Sequence, residues 1–191
     1  MPHAKIASAV AQQQALLDPF FLTQQDVLAE LAGHLATTFQ RGGRLFLIGS
    51  GPFAALAGLL GQQFLHRQTL ERPALPAVAL THDAGLGSFL AADDLSSQLF
   101  SRQLRSLAGE QDSVLLLCGP FLAPAERDAL LCARQIGCST AIICSDRADL
   151  PEPPPNHLLR LPSDNLPRLL EGCLFAGQLL CALVEGELFG I

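Results

Sequence analysis

The chain has 191 residues, of which 49% are hydrophobic, and its net charge at pH 7 is −6. This length is typical of one domain with a sizeable core. The acidic balance and the absence of a Lys/Arg cluster argue against direct binding to nucleic acid. The sequence contains no run of about 20 uninterrupted apolar residues, so it predicts no membrane span. The hydrophobic content instead predicts a homo-oligomer, because excess apolar surface needs a partner.

The N-terminal sequence and the cysteines both favour a cytoplasmic location. Residues 1–14 lack the apolar middle of a secretory signal peptide. Several cysteines fall in apolar segments, where cysteine behaves as a small buried hydrophobe rather than as half of a disulfide. The chain has six, none in a CxxC pair: Cys118, Cys132, Cys138, Cys144, Cys173 and Cys181.

In chain order, the pattern predicts two helices and then five strands that alternate with helices. The helices that open the chain cover residues 4–17 and 23–39, and Thr23 is expected to cap the second of them. Such alternation predicts an α/β fold with a parallel sheet and helices on both faces. The predicted strands cover residues 45–48, 77–80, 114–118, 140–144 and 157–161, and the helices between and after them cover 53–65, 95–107, 124–137 and 166–188.

A glycine turn joins the first strand to its helix. Gly49-Ser50-Gly51 follows the strand, and Pro52 stands where a first helical residue is expected. A strand, a glycine turn and a helix start form an arrangement that holds anions on backbone N–H groups. The alternative is a plain chain reversal with no ligand, since the turn carries neither Lys nor Arg.

Ligands of parallel sheets bind beyond the carboxyl ends of the strands. That rule selects residues 49–53, 81–83 and 118–123, and a glycine-containing stretch over 84–94 leads from the second of these ranges into the next predicted helix. The last helix, which Asp164 or Asn165 caps, is apolar except for Glu171, Gln178 and Glu185, which share one narrow face. We expect that face to line a pocket remnant or a wet subunit junction.

Taken together, these segments resemble the SIS (sugar isomerase) domain, and within it the phosphoheptose isomerases and the initiator-associating protein DiaA. The resemblance implies a three-layer α/β/α fold of flavodoxin-like or Rossmann-like type, with a five-stranded, mostly parallel sheet and an N-terminal helical extension. It implies a single SIS domain over 1–191, with helices in 1–43 used for oligomerisation and the α/β core and C-terminal helix in 44–191. The segments that carry the resemblance are RGGRLFLIGSG at 41–51, Arg67, ERPALPAVALTHD at 71–83, residues 93–117 and residues 164–189.

The resemblance also implies an assembly and a chemistry. Members form homodimers or homotetramers with active sites between subunits. The isomerases convert sedoheptulose 7-phosphate into a heptose 7-phosphate through an enediol. They use a carboxylate and a histidine as proton carriers and bind zinc near the same site.

This sequence departs from the family pattern at the four catalytic positions. The metal-binding histidine of the first helix falls at Leu59, and the glutamate that serves as ligand and base falls at Gln63. On the last helix, the family's glutamine falls at Leu170 and its histidine at Gln178. Leucine neither coordinates zinc nor transfers protons, and an amide does not titrate in the working range. We therefore expect no catalytic residue, no metal ligand and no cofactor, with Gln63 and Gln178 as remnants.

The loops that bind the phosphate group in the family are also altered in this sequence. The family's Ser/Thr-rich loop reads CGPFLAPA here, with no hydroxyl and two prolines that lack N–H donors. In the first loop, Pro52 and Phe53 replace a glycine and a serine. Asp93 stands in place of the family's asparagine, and a carboxylate there repels phosphate. The predicted ligand-binding residues that remain are Ser50, Gly51, Arg67, Asp93, Asp94 and Gly119.

Several of these residues have a structural alternative. Arg67 either steers an anion or pairs with a carboxylate such as Glu71. His82 next to Asp83 is either an oriented acid–base group or a loop histidine. The Asp93-Asp94 pair either binds a ligand or caps the following helix. Cys118 at a strand end is either reactive or an inert buried thiol.

Three hypotheses remain open from the sequence. The first is a non-catalytic SIS protein that binds or senses a sugar phosphate, or that contacts a protein such as the replication initiator, as DiaA does. The second is an active phosphoheptose isomerase of lipopolysaccharide synthesis. The third is a structural or regulatory partner whose cleft is filled by Phe53 and Phe121.

Overall fold

The protein is described here by a computed structural model that covers residues 2–68, 71–80 and 84–190. Five parallel strands form one sheet in the order β2-β1-β3-β4-β5, as in flavodoxin-like folds. The strands are β1 (Leu45–Gly49), β2 (Ala77–Ala79), β3 (Ser113–Leu117), β4 (Ser139–Ser145) and β5 (His157–Leu161). The helices are α1 (Pro2–Gln40), α2 (Pro52–Leu65), α3 (Ala84–Ala92), α4 (Leu99–Leu107), α5 (Pro124–Ile136) and α6 (Leu166–Phe189), with a 3₁₀ turn at Ser96–Gln98.

Two apolar layers enclose the sheet, which confirms the predicted three-layer architecture. Successive strand residues point to opposite faces, so an unbroken apolar strand supplies both layers at once. In β1, Leu45 and Leu47 pack with α1, α2 and α6, whereas Phe46 and Ile48 pack with α3, α4 and α5. All five β1 residues are buried.

The N-terminal prediction of two helices is wrong, because α1 is one continuous helix of 39 residues that contains Pro19. Thr23 is not a cap: its Oγ1 donates to the Pro19 carbonyl oxygen at 2.8 Å within the helix. An internal proline costs a helix about 3 kcal/mol. Burial along one face offsets that cost, since the buried residues of α1 recur at helical spacing on both sides of the proline: Leu16, Phe20, Leu28, Leu31 and Leu35.

The glycine-containing stretch after β2, which lay outside the predicted helices, is also helical. Helix α3 covers Ala84–Ala92 although it contains Gly85 and Gly87. Leu90 is 4% exposed and belongs to the same apolar cluster as Leu99 and Leu104. Packing of that residue stabilises a segment whose intrinsic helix propensity is low.

The helix predicted over 95–107 is a 3₁₀ turn at Ser96–Gln98 followed by α4, whereas α5 and α6 begin and end close to where their residues predict. Pro124 opens α5, and Gly137 ends it with φ 96°, a left-handed conformation that favours glycine. Asn165 caps α6, because its side-chain oxygen accepts the Arg168 N–H.

Helix α6 is the only helix of the described part of the chain that is long and apolar enough to cross a membrane. Half of its most apolar window is buried inside the domain. It packs against α1 and α2, as the core helix of a globular domain does. All six cysteines are free and buried, as expected of inert thiols.

Two histidines join α1 to the sheet. The ring centroids of His34 in α1 and His157 in β5 lie 5.3 Å apart. The Nε2 of His34 lies 3.2 Å from the Ser113 hydroxyl. Burial lowers the pKa of His34, and the nearby Arg41 lowers it further. Burial and then the charge of His34 lower the pKa of His157.

These lowered pKa values predict acid sensitivity. As the pH falls below 6.5, the unfolded chain takes up protons at both positions before the folded chain does, so stability falls between pH 6.5 and the lowered pKa values and levels off below them. The variant His34→Gln/His157→Gln should lose that part of the pH dependence. Urea unfolding between pH 5 and 8 measures it, and equal slopes in both proteins would contradict the prediction.

Candidate functional site

The predicted glycine turn is present at the carboxyl end of β1. Gly51 precedes α2 with φ 56°, and Pro52 occupies the first helical turn. The turn is tight, since a Cβ on Gly49 would lie 2.7 Å from the carbonyl carbon and oxygen of Phe53. These features confirm the strand–turn–helix arrangement that the sequence predicts.

The amide groups of this turn make bonds within the protein. The Phe53 N–H donates to the Ser50 carbonyl oxygen, and the Ala54 N–H donates to the Gly51 carbonyl oxygen, both at 3.1 Å. Pro52 has no N–H to offer. The Ser50 N–H points across to α5, where it donates to the Glu126 carboxylate at 2.9 Å.

Glu126 therefore lies between the two loops of the site, a position that the sequence pattern does not predict. Its second carboxylate oxygen accepts the Ala123 N–H at 2.8 Å, in the loop that follows β3. We call the Ser50 and Ala123 N–H groups the anion cradle. Glu126 is only 2% exposed. Burial raises its pKa, and the hydrogen bonds from Ala123 and Ser50 act in the opposite direction.

An acidic residue at the third position of a helix is a common capping residue, and that pattern was visible in the sequence. The contact with Ser50, which lies 76 positions away in the chain, was not. Local pattern thus identified the helix start at Pro124 but not the group that its first turn brings to the other loop.

Phe53 lies in the apolar core at the start of α2. It is 5% exposed, and a Cβ on the buried Gly119 would lie 3.5 Å from the Phe53 Cε2. Phe121 does not fill the cleft within this chain, because it is 84% exposed. That half of the third hypothesis is wrong for the single chain.

The four positions that the resemblance assigns to catalysis lie along α2 and α6. Leu59 is 39% exposed on α2, and Leu170 packs against the core from α6. The Gln63 Oε1 is buried without a hydrogen-bond partner. The Gln178 carbonyl oxygen accepts the Gln68 side-chain N–H at 2.8 Å. No side chain of this set titrates near neutral pH.

Zinc does not fit this set of residues. Zinc sites in proteins use thiolate, imidazole and carboxylate ligands, whereas these positions offer two hydrocarbons and two amides. Within residues 2–68, 71–80 and 84–190 there is no cluster of three or more His, Cys, Asp or Glu side chains placed to hold a metal ion.

The polar face of α6 is used in two ways. Glu171 is exposed and pairs with Arg168. Glu185 is buried and pairs with Arg72, with 2.7 Å between the carboxylate oxygen and the guanidinium Nε. The same guanidinium donates to the carbonyl oxygens of Gln63 and Phe64 in the last turn of α2. The Arg72 guanidinium thus links the last turn of α2 to α6.

The remaining predicted ligand residues are dispersed. Arg67 lies 3.8 Å from the Glu71 carboxylate, which is the ion pair that the sequence offered as its alternative role. Asp93 and Asp94 are exposed and follow the end of α3. They do not cap the following helix, because Leu95 is the residue that precedes the 3₁₀ turn, and their N–H groups bond instead to carbonyl oxygens in the last turn of α3. His82 and Asp83 lie outside the described residues.

Cys118 directly follows β3, close to the site, and is buried. A hydrogen bond with Cys144, in the neighbouring strand, and burial both raise the pKa of the Cys118 thiol. A thiol of this kind is protonated at neutral pH and is a poor nucleophile.

A five-stranded parallel sheet of flavodoxin-like order, with a glycine turn and helix starts at its carboxyl edge, defines the class of open α/β domains that bind ligands beyond the carboxyl ends of their strands. The profile of the SIS domain matches residues 10–144, and the chain belongs to the SIS domain family as a phosphoheptose isomerase-like protein. It is 35% identical to a phosphoheptose isomerase of Trichlorobacter lovleyi, over 86% of this chain and 84% of the relative. It is 33% identical to a phosphoheptose isomerase of Solidesulfovibrio magneticus, over 96% and 90% of the two chains.

Solved structures agree with the fold. A phosphoheptose isomerase from Francisella tularensis superposes with a TM-score of 0.89, at 22% identity, over 96% of this chain and 98% of that chain. The sugar isomerase domain of an RpiR transcription factor from Sphaerobacter thermophilus gives a TM-score of 0.63, at 18% identity, over 94% and 88% of the two chains. The same scaffold therefore occurs in an enzyme and in a regulatory protein.

Proposed function

We propose that this chain is a cytoplasmic SIS protein that has lost the isomerase reaction and acts by binding. The observation that carries the proposal is the set of residues at the four catalytic positions. Moving a proton through an enediol needs a group that gains and loses a proton near neutral pH, and Leu59, Gln63, Leu170 and Gln178 offer none.

The second candidate is an active phosphoheptose isomerase of heptose synthesis. The relatives favour it, because proteins of that name match this chain at 27% to 35% identity over nearly its whole length. Under this alternative, protons would have to move through groups outside the four positions. The two candidates give opposite results in one assay.

That assay is turnover of sedoheptulose 7-phosphate with zinc supplied. We expect no zinc-dependent turnover by the wild-type chain. A positioned acid or base contributes about 10²–10⁴-fold, so the loss of both should place the rate at least about 10⁴-fold below that of a catalytically competent relative assayed in parallel. Robust turnover that chelation abolishes would overturn the proposal.

A variant that restores the family's residues at the four positions is the matched control for zinc binding. Leu59→His/Gln63→Glu/Leu170→Gln/Gln178→His introduces imidazole, carboxylate and amide groups at the four positions. This variant should retain zinc after desalting, whereas the wild-type chain should not. Metal analysis of the two desalted proteins gives the comparison.

Exposed apolar side chains support a binding role directed at proteins, with the replication initiator as a candidate partner. Phe89 on α3 and Phe121 after β3 are 76% and 84% exposed. They follow β2 and β3, the strands on either side of β1.

An apolar groove elsewhere on the surface supports assembly into a homodimer or homotetramer. It is lined by Leu17, Phe21, Leu22 and Phe175. Light scattering on the purified protein counts the subunits, and a monomer would contradict that part of the proposal.

A further inference from the structure

Two loops of the sheet edge, far apart in sequence, direct N–H groups at one point. Ser50 belongs to the turn after β1, and Ala123 to the loop after β3. Helices α2 and α5 begin at these loops, and helix N-termini carry a partial positive charge. Glu126 bridges the two N–H groups with one oxygen on each, at 2.9 and 2.8 Å. The protein's own carboxylate thus takes the position of an oxyanion.

We propose that Glu126 is an internal plug, an autoinhibitory side chain that keeps phosphoryl groups out of the anion cradle. A phosphate oxygen bound by the Ser50 or Ala123 N–H would have to occupy the place of a Glu126 oxygen. Two negative groups at one pair of donors also repel each other. The plug refines the binding role proposed above, because it disfavours phosphorylated ligands at this cradle and leaves protein contacts as the binding mode.

Helix capping alone does not account for this carboxylate. A capping glutamate needs only the N–H of its own helix start, here that of Ala123. Glu126 makes the additional contact with Ser50 and is 2% exposed. Burying a carboxylate is costly unless it is hydrogen-bonded. Burial accordingly raises the pKa of Glu126, against the effect of its two hydrogen bonds. The carboxylate is buried nonetheless, although a solvent-exposed capping glutamate would carry a smaller desolvation cost.

The test uses inorganic phosphate as the probe and compares wild type with Glu126→Ala. Wild type should show no midpoint change in about 20 mM phosphate beyond that in chloride of equal ionic strength. Glu126→Ala should show a saturable rise of about 4 °C at that concentration, as expected for millimolar affinity in a domain of this size. A saturable rise in wild type, or none in a folded Glu126→Ala, would overturn the plug.

A second variant identifies where the phosphate binds. Ala123 has φ −63°, which proline also adopts, so Ala123→Pro removes one donor of the cradle with little change in backbone shape. The double variant Glu126→Ala/Ala123→Pro should lose at least half of the phosphate-induced rise. An undiminished rise would mean that phosphate binds elsewhere, and the cradle assignment would be wrong.

Wild-type protein alone also tests the plug, in case Glu126→Ala does not fold. Amide resonances of Ser50 and Ala123 should not move when phosphate replaces chloride, and saturable movement of both would refute the proposal. The turnover assay decides the loss of isomerase activity separately. Wild type that binds phosphate without turning over the sugar would refute only the plug, and zinc-dependent turnover would refute the proposed function.

Discussion

Replacement of Arg72 by methionine should lower the free energy of unfolding by about 3–5 kcal/mol, the usual cost of removing one partner of a buried ion pair. The side chains of Arg72 and Glu185 are 1% and 6% exposed. Without the guanidinium, Glu185 would keep a buried and unpaired charge. The carbonyl oxygen of Gln63 would lose the guanidinium donor as well, and that of Phe64 would keep only the Leu75 N–H. Urea unfolding of the two proteins at pH 7 gives the difference.

Two further variants test whether the loss of stability comes from the burial of the ion pair and not from the loss of a positive charge alone. Arg147 pairs with Asp164 at the surface, where the two side chains are 71% and 53% exposed. Arg147→Met should therefore cost less than about 1 kcal/mol. The double variant Arg72→Met/Glu185→Leu should recover part of the loss, because an apolar pair leaves no unpaired charge. Equal costs for Arg72→Met and Arg147→Met would contradict this account.

The variant Gly49→Ala should also be strongly destabilised, by about 2–3 kcal/mol. Its Cβ would lie 2.7 Å from the carbonyl carbon and oxygen of Phe53, and backbone atoms cannot move aside as a side-chain tip can. To relieve the contact, the start of α2 must move away from β1. That movement would draw the Ser50 N–H away from Glu126. We therefore expect a lower unfolding midpoint together with a changed Ser50 amide resonance.

The matched control is Gly33→Ala, on α1. A Cβ at Gly33 would have no neighbour within 4 Å. Because alanine is the better helix former, this variant should be neutral or more stable by up to about 1 kcal/mol. A Gly49→Ala protein as stable as Gly33→Ala would show that the turn after β1 tolerates a side chain, contrary to the geometry.

Most strands and helices could be predicted because their residues carry the information locally. The run from Leu45 to Ile48, the glycine turn and Pro52 form a strand, a reversal and a helix start in almost any α/β setting. The errors came where packing outweighs local preference. Pro19 in α1 and the glycines of α3 argue against helix, and both segments are helical because one face of each is buried in the core.

The candidate site was predicted less completely. Ser50, Gly51 and Gly119 were selected because ligands bind beyond the ends of parallel strands, and they do lie at that edge. Arg67 and the Asp93-Asp94 pair were selected by resemblance, and they are engaged or exposed elsewhere. Glu126 was overlooked because nothing in its neighbourhood in the sequence distinguishes it from an ordinary helix cap.

Side-chain chemistry can be known from the sequence, since it belongs to the residue itself. Leucine and glutamine at positions 59, 63, 170 and 178 exclude a proton-transferring zinc site there, whatever the fold. The hydrogen-bond or ion-pair partner of a side chain cannot be known in this way, because such contacts join residues that are far apart in the sequence. That Ser50 meets Glu126, and Arg72 meets Glu185, follows from the stacking of α2, α5 and α6 on one sheet. Only packing brings such distant groups within bonding distance, and the filled anion cradle depends on it.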